Sequence, residues 1–204
     1  MWSNDRVGLM FTDLLLKVLR LLFADKKTGE LQVKYSREIT MTGFSEEEDI
    51  ENRKNKLKHL CHEVVDNSGF DARDITGDGK AETFCNQANA YIANSLGCEI
   101  ILADNFANEQ IDAARGSIDF TIGSPKEAAK HALQGGYGFA GLRGEVHGHV
   151  AVLYPLSCGE SGKWGEVPYV AHVGKPPNGI RKVSESFIVS GQRPDYYLFK
   201  FKEL

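Results

Sequence analysis

The sequence predicts an α+β fold in which helices come first and an antiparallel sheet follows. Apolar residues recur at helical spacing in several segments before residue 134, whereas from Tyr137 onward they alternate with a period of two. Much of the glycine (21 residues in all) also falls after residue 134, as expected for strands joined by tight turns. No repeat, low-complexity tract or obvious linker interrupts this order, which is an α+β layout.

Length and composition predict one globular domain with an extension at its start. The chain has 204 residues, of which 42% are apolar, enough for a sizeable core. We divide it into an extension at 1–44, packed on the main domain, and a main domain at 45–204. The net charge of -4 gives no electrostatic reason to expect a nucleic-acid partner.

Residues 8–24 are the most apolar run, and Asp13, Lys17 and Arg20 interrupt it at helical spacing. Three charges argue against a transmembrane helix, and the run lacks the features of a signal peptide. We predict a helix packed on the domain, with contact to a membrane surface or a partner as the alternative. Residues 30–41 alternate and predict one or two short strands.

Residues 45–67 predict a helix with Ser45 as its N-cap and acidic residues in its first turn. His59 and His62 form a HxxH pair, but no third ligand follows at a useful spacing. We therefore expect a solvated helix face and no metal site. The turn at 74–82 matches part of a calcium-binding loop, but its twelfth position is Cys85 instead of the bidentate glutamate, which leaves calcium only as an alternative.

The segment 82–97 predicts a helix that carries Cys85 in its first turn. Thr83 is the expected N-cap, and Gly97 stands where the helix is expected to end. The positive end of the helix dipole favours a thiolate, which is the nucleophilic form of cysteine. On this helix alone, the alternative is a small buried apolar residue.

The four cysteines give no zinc-type or CxxC spacing, and no secretory signal supports an oxidising destination, so we expect reduced thiols. Helices are predicted for 105–117 and 124–136, the second with Ser124 as N-cap and Pro125 at its first position. A short apolar strand or helix extension is predicted at 98–103. Strands are predicted for 137–144, 146–155, 167–174, 184–191 and 195–204, with a loop at 156–166.

Three histidines on these strands are candidates for pairing with Cys85. His147 and His149 stand at the start of one strand and point to the same side of it, so periodicity does not choose between them. His172 follows on the next strand between apolar neighbours, where a histidine needs a polar partner. A helix-start thiol, an imidazole base and a third orienting group are what cysteine catalysis requires.

These segments resemble the papain-like cell-wall hydrolases, the NlpC-type and CHAP-type amidases and endopeptidases, over about residues 70–175. TFCNQANAYI is similar to the segment that carries their nucleophile, and GHVAVLYP to the segment that carries their base. The resemblance assigns these roles to Cys85 and His149, and it makes His172 the third residue. Phe84 before the cysteine, where the NlpC type usually has Asp, and the long spacing from His149 to His172 depart from the family pattern.

The resemblance implies a papain-like fold and hydrolysis of amide bonds in peptidoglycan through a thioester, without a cofactor. Trp164 and Tyr169 are expected either to line the substrate groove, with His147, or to be core aromatics. Without a signal peptide, a hydrolase made in the cytoplasm has to reach the cell wall by another route. The alternatives are a papain-like acyltransferase, an intracellular cysteine peptidase, or a binding module in which Cys85 is structural.

Overall fold

The computed structural model describes residues 46–74, 77, 82–174, 177–188 and 191–200. All of them belong to the unit Ser45–Leu204. The predictions for 1–44, namely the apolar helix, the short strands and their packing, lie outside the described residues. Most of the turn at 74–82, where calcium was the alternative, lies outside them too. Within the described residues, no helix has the length and apolar character needed to cross a membrane.

In the described part of the chain, six strands form one antiparallel sheet. Strands β1 to β6 are Phe120–Gly123, Gly138–Leu142, His149–Ser161, Gly165–His172, Gly179–Lys182 and Asp195–Phe199. They lie in the order β1-β6-β2-β3-β4-β5. Every neighbouring pair is antiparallel, which confirms the predicted α+β class with its antiparallel sheet.

Helices pack against this sheet. Helices α1 to α4 and the single helical turn α5 are Glu46–Asp66, Cys85–Ser95, Ala107–Gly116, Pro125–Leu133 and Val183–Ser186. Each of α1 to α4 contacts β3, so β3 lies in the middle of the core. Beside it, the rings of Phe139 and Tyr197 stack across β2 and β6 with centroids 5.0 Å apart.

Local capping signals explain where two of the helices begin or end. Helix α4 begins as predicted, because the Ser124 hydroxyl accepts the Glu127 backbone N–H and the Glu127 carboxylate accepts the Ser124 N–H. Helix α2 ends just before Gly97, which has a φ of +82°. The N–H of Gly97 donates to the Asn94 carbonyl, as in a Schellman motif.

The structure corrects the prediction of a strand at 184–191. Residues Val183–Ser186 form the helical turn α5 instead. Val183 and Phe187 are both buried, and the Phe187 N–H donates to the Val183 carbonyl at 3.0 Å. The Glu185 carboxylate also accepts the Lys182 N–H, which caps the turn. Helical spacing of the two apolar anchors therefore overrides the alternating pattern.

Three other segments differ from the prediction. The loop expected at 156–166 is mostly strand, because β3 continues to Ser161 and β4 begins at Gly165. Strands β1 and β5 have four residues each, too few for an alternating pattern to reveal them. The segment 98–103, predicted as strand or helix, forms turns.

We expect Gly135→Ala to destabilise the fold strongly. Gly135 has a φ of +75°, and a Cβ there would overlap Arg53 on α1, with its carbonyl carbon 2.6 Å away. The left-handed conformation costs about 1–2 kcal/mol, and the overlap adds roughly 1–3 kcal/mol. Gly97→Ala is the control, because a Cβ at this positive-φ glycine meets no atom within 4 Å. Equal losses of unfolding free energy in urea for the two variants would contradict this account.

Candidate active site

Cys85 occupies the first position of α2, against the beginning of β3. Phe84 is the N-cap and no side chain caps the helix, so the predicted N-cap, Thr83, is wrong by one residue. The Thr83 hydroxyl and the backbone N–H of Val150 lie close enough to the Cys85 sulfur to lower the pKa of its thiol. A Cβ on Gly174, just after β4, would lie 3.9 Å from the Cys85 Cβ. The thiol is therefore enclosed between α2, β3 and the end of β4.

Burial controls the acidity of this thiol. The Cys85 residue is only 4% exposed, and burial raises the pKa of its thiol because the thiolate loses its hydration. The N–H of Val150, the Thr83 hydroxyl and the N–H groups at the start of α2 lower that pKa but do not offset the burial. The expectation that the helix start favours a thiolate is therefore wrong for the free protein, in which Cys85 is a thiol.

A chain of three side chains joins the beginning of β3, the end of β4 and α5. The Ser186 Oγ, on α5, is 2.6 Å from His172 Nδ1 and 3.3 Å from His149 Nε2. The two imidazole rings meet edge to face with centroids 5.3 Å apart, and the Phe187 ring lies 4.7 Å from the His149 ring. The structure thus joins the two predicted histidines through a serine that the sequence did not single out.

Two sets of proton positions satisfy both hydrogen bonds in this chain. In the first, the His149 Nε2–H donates to Ser186 Oγ and the Ser186 hydroxyl donates to His172 Nδ1; in the second, the His172 Nδ1–H donates to Ser186 Oγ and the hydroxyl donates to His149 Nε2. In the first set, the lone pair of His149 is on Nδ1. Burial, together with the neighbouring His172, lowers the pKa of His149 to about 3. His149 is therefore a neutral imidazole at neutral pH.

A cavity of about 520 Å³ opens over this group. Its described lining includes His147, His149, His172, Ser186 and Thr83. Cys85 itself is absent from the described lining. His149, His172, Ser186 and Thr83 line the cavity, whereas Cys85 is buried.

Of the three residues predicted to contact substrate, one lines this cavity. His147 is exposed in the loop before β3 and lines the cavity. Trp164 is buried at the β3–β4 turn and lines a smaller cavity of about 310 Å³. Tyr169 is displaced by an odd number of residues from His172 on β4, so it faces the other side of the sheet, where its hydroxyl packs over Gly159. Neither aromatic residue belongs to the described lining of the larger cavity.

The other candidate side chains lie elsewhere. His59 and His62 are exposed on α1, and His62 Nε2 lies 3.1 Å from the Tyr154 hydroxyl. Among the described residues, no three His, Cys, Asp or Glu side chains are grouped as metal ligands would be. All four cysteines are free, as the predicted reduced state requires.

Sequence reasoning missed Ser186 because its segment was interpreted as a strand. The helical signal was present in the spacing of Val183 and Phe187, which places Ser186 on the turn between them. The sequence indicates Thr83 only as a helix cap. Its contact with the sulfur depends on the helix beginning one residue later than predicted.

Comparison of the sequence with protein-family models gives no match, and comparison with curated proteins gives none either.

We expect the free energy of unfolding to decrease in acid because His149 is buried in its neutral form. Its folded-state pKa of about 3 lies below the unfolded value of about 6.5, so below pH 6.5 the unfolded chain binds a proton that the folded protein does not. The contribution of neutral His149 to the free energy of unfolding is complete above pH 6.5. It falls by roughly 1.4 kcal/mol per pH unit down to pH 3.

Urea unfolding of wild type and His149→Gln between pH 7.5 and 4 measures this dependence. The variant is expected to have a shallower slope, whereas His59→Gln, on an exposed helix face, keeps the wild-type slope. Parallel curves for wild type and His149→Gln would contradict the assignment.

Proposed function

We propose that the protein is a papain-like cysteine hydrolase that cleaves amide bonds in peptidoglycan. One observation carries the proposal: the N–H of Val150, the residue directly after His149, lies close enough to the Cys85 sulfur to lower the pKa of the thiol. This contact brings the thiol of α2 to the strand end that carries a neutral, oriented imidazole. The order of the nucleophile and base along the chain is the order of the family that the sequence resembles.

His149 acts first as a base. It takes the Cys85 proton on Nδ1 as the sulfur attacks the amide carbonyl carbon, because both groups are neutral at rest. The imidazolium then gives this proton to the leaving nitrogen as the C–N bond breaks. A thioester on Cys85 and a free amine result.

Water completes the reaction. His149 accepts a proton from a water molecule, whose oxygen attacks the thioester, and the proton returns to the sulfur as the acid is released. The N–H groups at the start of α2 have no side-chain cap and lie beside the sulfur, so they are suited to stabilise the oxyanion. Ser186 holds the His149 ring through both steps and links it to His172.

Peptidoglycan as the substrate rests on the resemblance of TFCNQANAYI and GHVAVLYP to the cell-wall hydrolases.

A second candidate, a papain-like acyltransferase, is favoured by the rim of the cavity. Ile188, which lines the cavity, is 71% exposed, and the exposed ring of Phe106 lies 6.2 Å from the ring of His147. Such apolar side chains suit an acyl chain. Incubation with purified sacculi and with phospholipid vesicles separates the two candidates by which material yields products.

We expect Cys85→Ala to abolish release of muropeptides from purified sacculi while the protein still folds. Alanine removes the nucleophile but keeps a small apolar side chain at a buried position. Mass spectrometry of the digest measures the released fragments, and their masses identify the cleaved bond.

Cys158→Ala is the control, because this free cysteine is half-buried and outside the described lining of the cavity. It is expected to digest sacculi like wild type. Activity that persists in a folded Cys85→Ala variant would overturn the mechanism. Binding of sacculi without digestion by wild type would favour the binding module.

We expect Ser186→Ala to lower kcat by roughly a hundredfold and to leave KM within about twofold, since it removes the group that orients the base. The pH–rate profile is expected to shift, because His149 and His172 lose their common hydrogen-bond partner. Ser186→Thr keeps the hydroxyl and is expected to restore part of kcat.

Ser184→Ala is the matched control on the same helical turn, because Ser184 lines only the smaller cavity among those described. A Ser186→Ala variant with wild-type kcat and an unchanged pH profile would remove Ser186 from the mechanism.

A further inference from the structure

Two arginines and one glutamate line the cavity over His149, and they differ in the groups that they contact. Arg143 forms an ion pair with Asp112. Glu185 accepts the Lys182 backbone N–H at 3.3 Å, and its other oxygen lies 3.8 Å from the Lys182 ammonium. The carboxylate in the cavity is therefore already engaged with a neighbouring residue.

Arg181 differs from Arg143 in having no acidic partner among the described residues. Its Nη2 donates to the Pro177 carbonyl at 2.5 Å. Within the described ranges, no carboxylate forms an ion pair with its guanidinium. A guanidinium has five N–H donors in a planar fork that matches a carboxylate, so most of the donors of Arg181 remain available.

Strand geometry places Arg181 on the catalytic side of the sheet. In the β4–β5 ladder, Val170 pairs with Arg181 and His172 pairs with Gly179. Paired residues share a face, and residues two apart on one strand share a face as well. Arg181 and His172 therefore project from the same face, and both line the cavity.

We propose that Arg181 is a specificity residue, which binds a carboxylate that the substrate carries close to the cleaved amide. This inference rests on the proposed hydrolase function. The half-buried position of Arg181 strengthens the charge-assisted hydrogen bonds, because the cavity wall excludes part of the solvent. The substrate class is thus an acidic peptide, and an amidated version of the same peptide is a poorer substrate.

Two stem peptides that differ at one position test the inference. In one peptide the carboxyl group next to the cleaved amide is free, and in the other it is replaced by a primary amide. Wild type is expected to cleave the free acid with a kcat/KM about tenfold to a hundredfold higher. We expect the difference to be in KM, since Arg181 contacts the substrate away from the reacting atoms.

Arg181→Gln is expected to remove this preference by weakening cleavage of the free acid alone, and Arg181→Lys to retain part of it. Arg143→Gln is the matched control, because this arginine lines the same cavity but is paired with Asp112, and it is expected to keep the wild-type ratio. Equal use of both peptides by wild type, or the same ratio in Arg181→Gln, overturns the inference and leaves the hydrolase intact.

Calorimetric titration of both peptides into the Cys85→Ala variant gives a readout that needs no catalysis. Preferential binding of the free acid, lost in Cys85→Ala/Arg181→Gln, supports the carboxylate site even if wild type cleaves neither peptide. If wild type cleaves neither peptide but the free acid still binds preferentially, the proposed hydrolase function is wrong and the carboxylate-binding site is confirmed. Equal binding of the two peptides, or binding of neither, overturns the inference.

Discussion

The site depends on the contact between the first turn of α2 and the first residues of β3. The N–H of Val150, on the sheet, lies close enough to the Cys85 sulfur at the start of α2 to lower the pKa of the thiol. Backbone donors are positioned by the β2–β3 ladder, in which Gly141 pairs with Val150. The thiol of Cys85 and the imidazole of His149 are therefore carried by two elements that pack on each other, so their relative position depends on how α2 packs on β3.

The same enclosure sets the protonation states of the pair. Burial raises the pKa of Cys85 and lowers that of His149, which favours the neutral form of both residues. A neutral pair is inert toward solvent, and the proposed chemistry generates the thiolate only as the proton moves to the imidazole. The Ser186 hydroxyl engages His149 Nε2 and His172 Nδ1, so the proposed transfer uses the other ring nitrogen of His149, Nδ1. In the proposed mechanism, the burial that stabilises the core therefore keeps Cys85 a thiol until the proton moves to His149.

Elements with strong local signals were predictable from the sequence. Helix α4 has a capping box and Pro125 at its first position, and the alternation in 146–155 predicts the first half of β3. Weak or misleading local signals gave the errors. Strands β1 and β5 are too short to alternate detectably, and the glycine-rich segment after Pro155 becomes strand because pairing with β4 overrides its composition. The cavity that Trp164 lines could not be predicted either, because an aromatic residue in a predicted loop gives no indication of which cavity it lines.

The sequence by itself determined the α+β class, the position of Cys85 at a helix start, and the placement of His149 and His172 on neighbouring strands. These features follow from periodicity and caps, which are properties of adjacent residues. Tertiary structure alone decided that Ser186 joins the two histidines, that burial outweighs the helix start at Cys85, and that Arg181 has no acidic partner in the described ranges while Arg143 has one. Each of these is set by groups that are distant in the chain, whose distances and desolvation exist only once the sheet has formed.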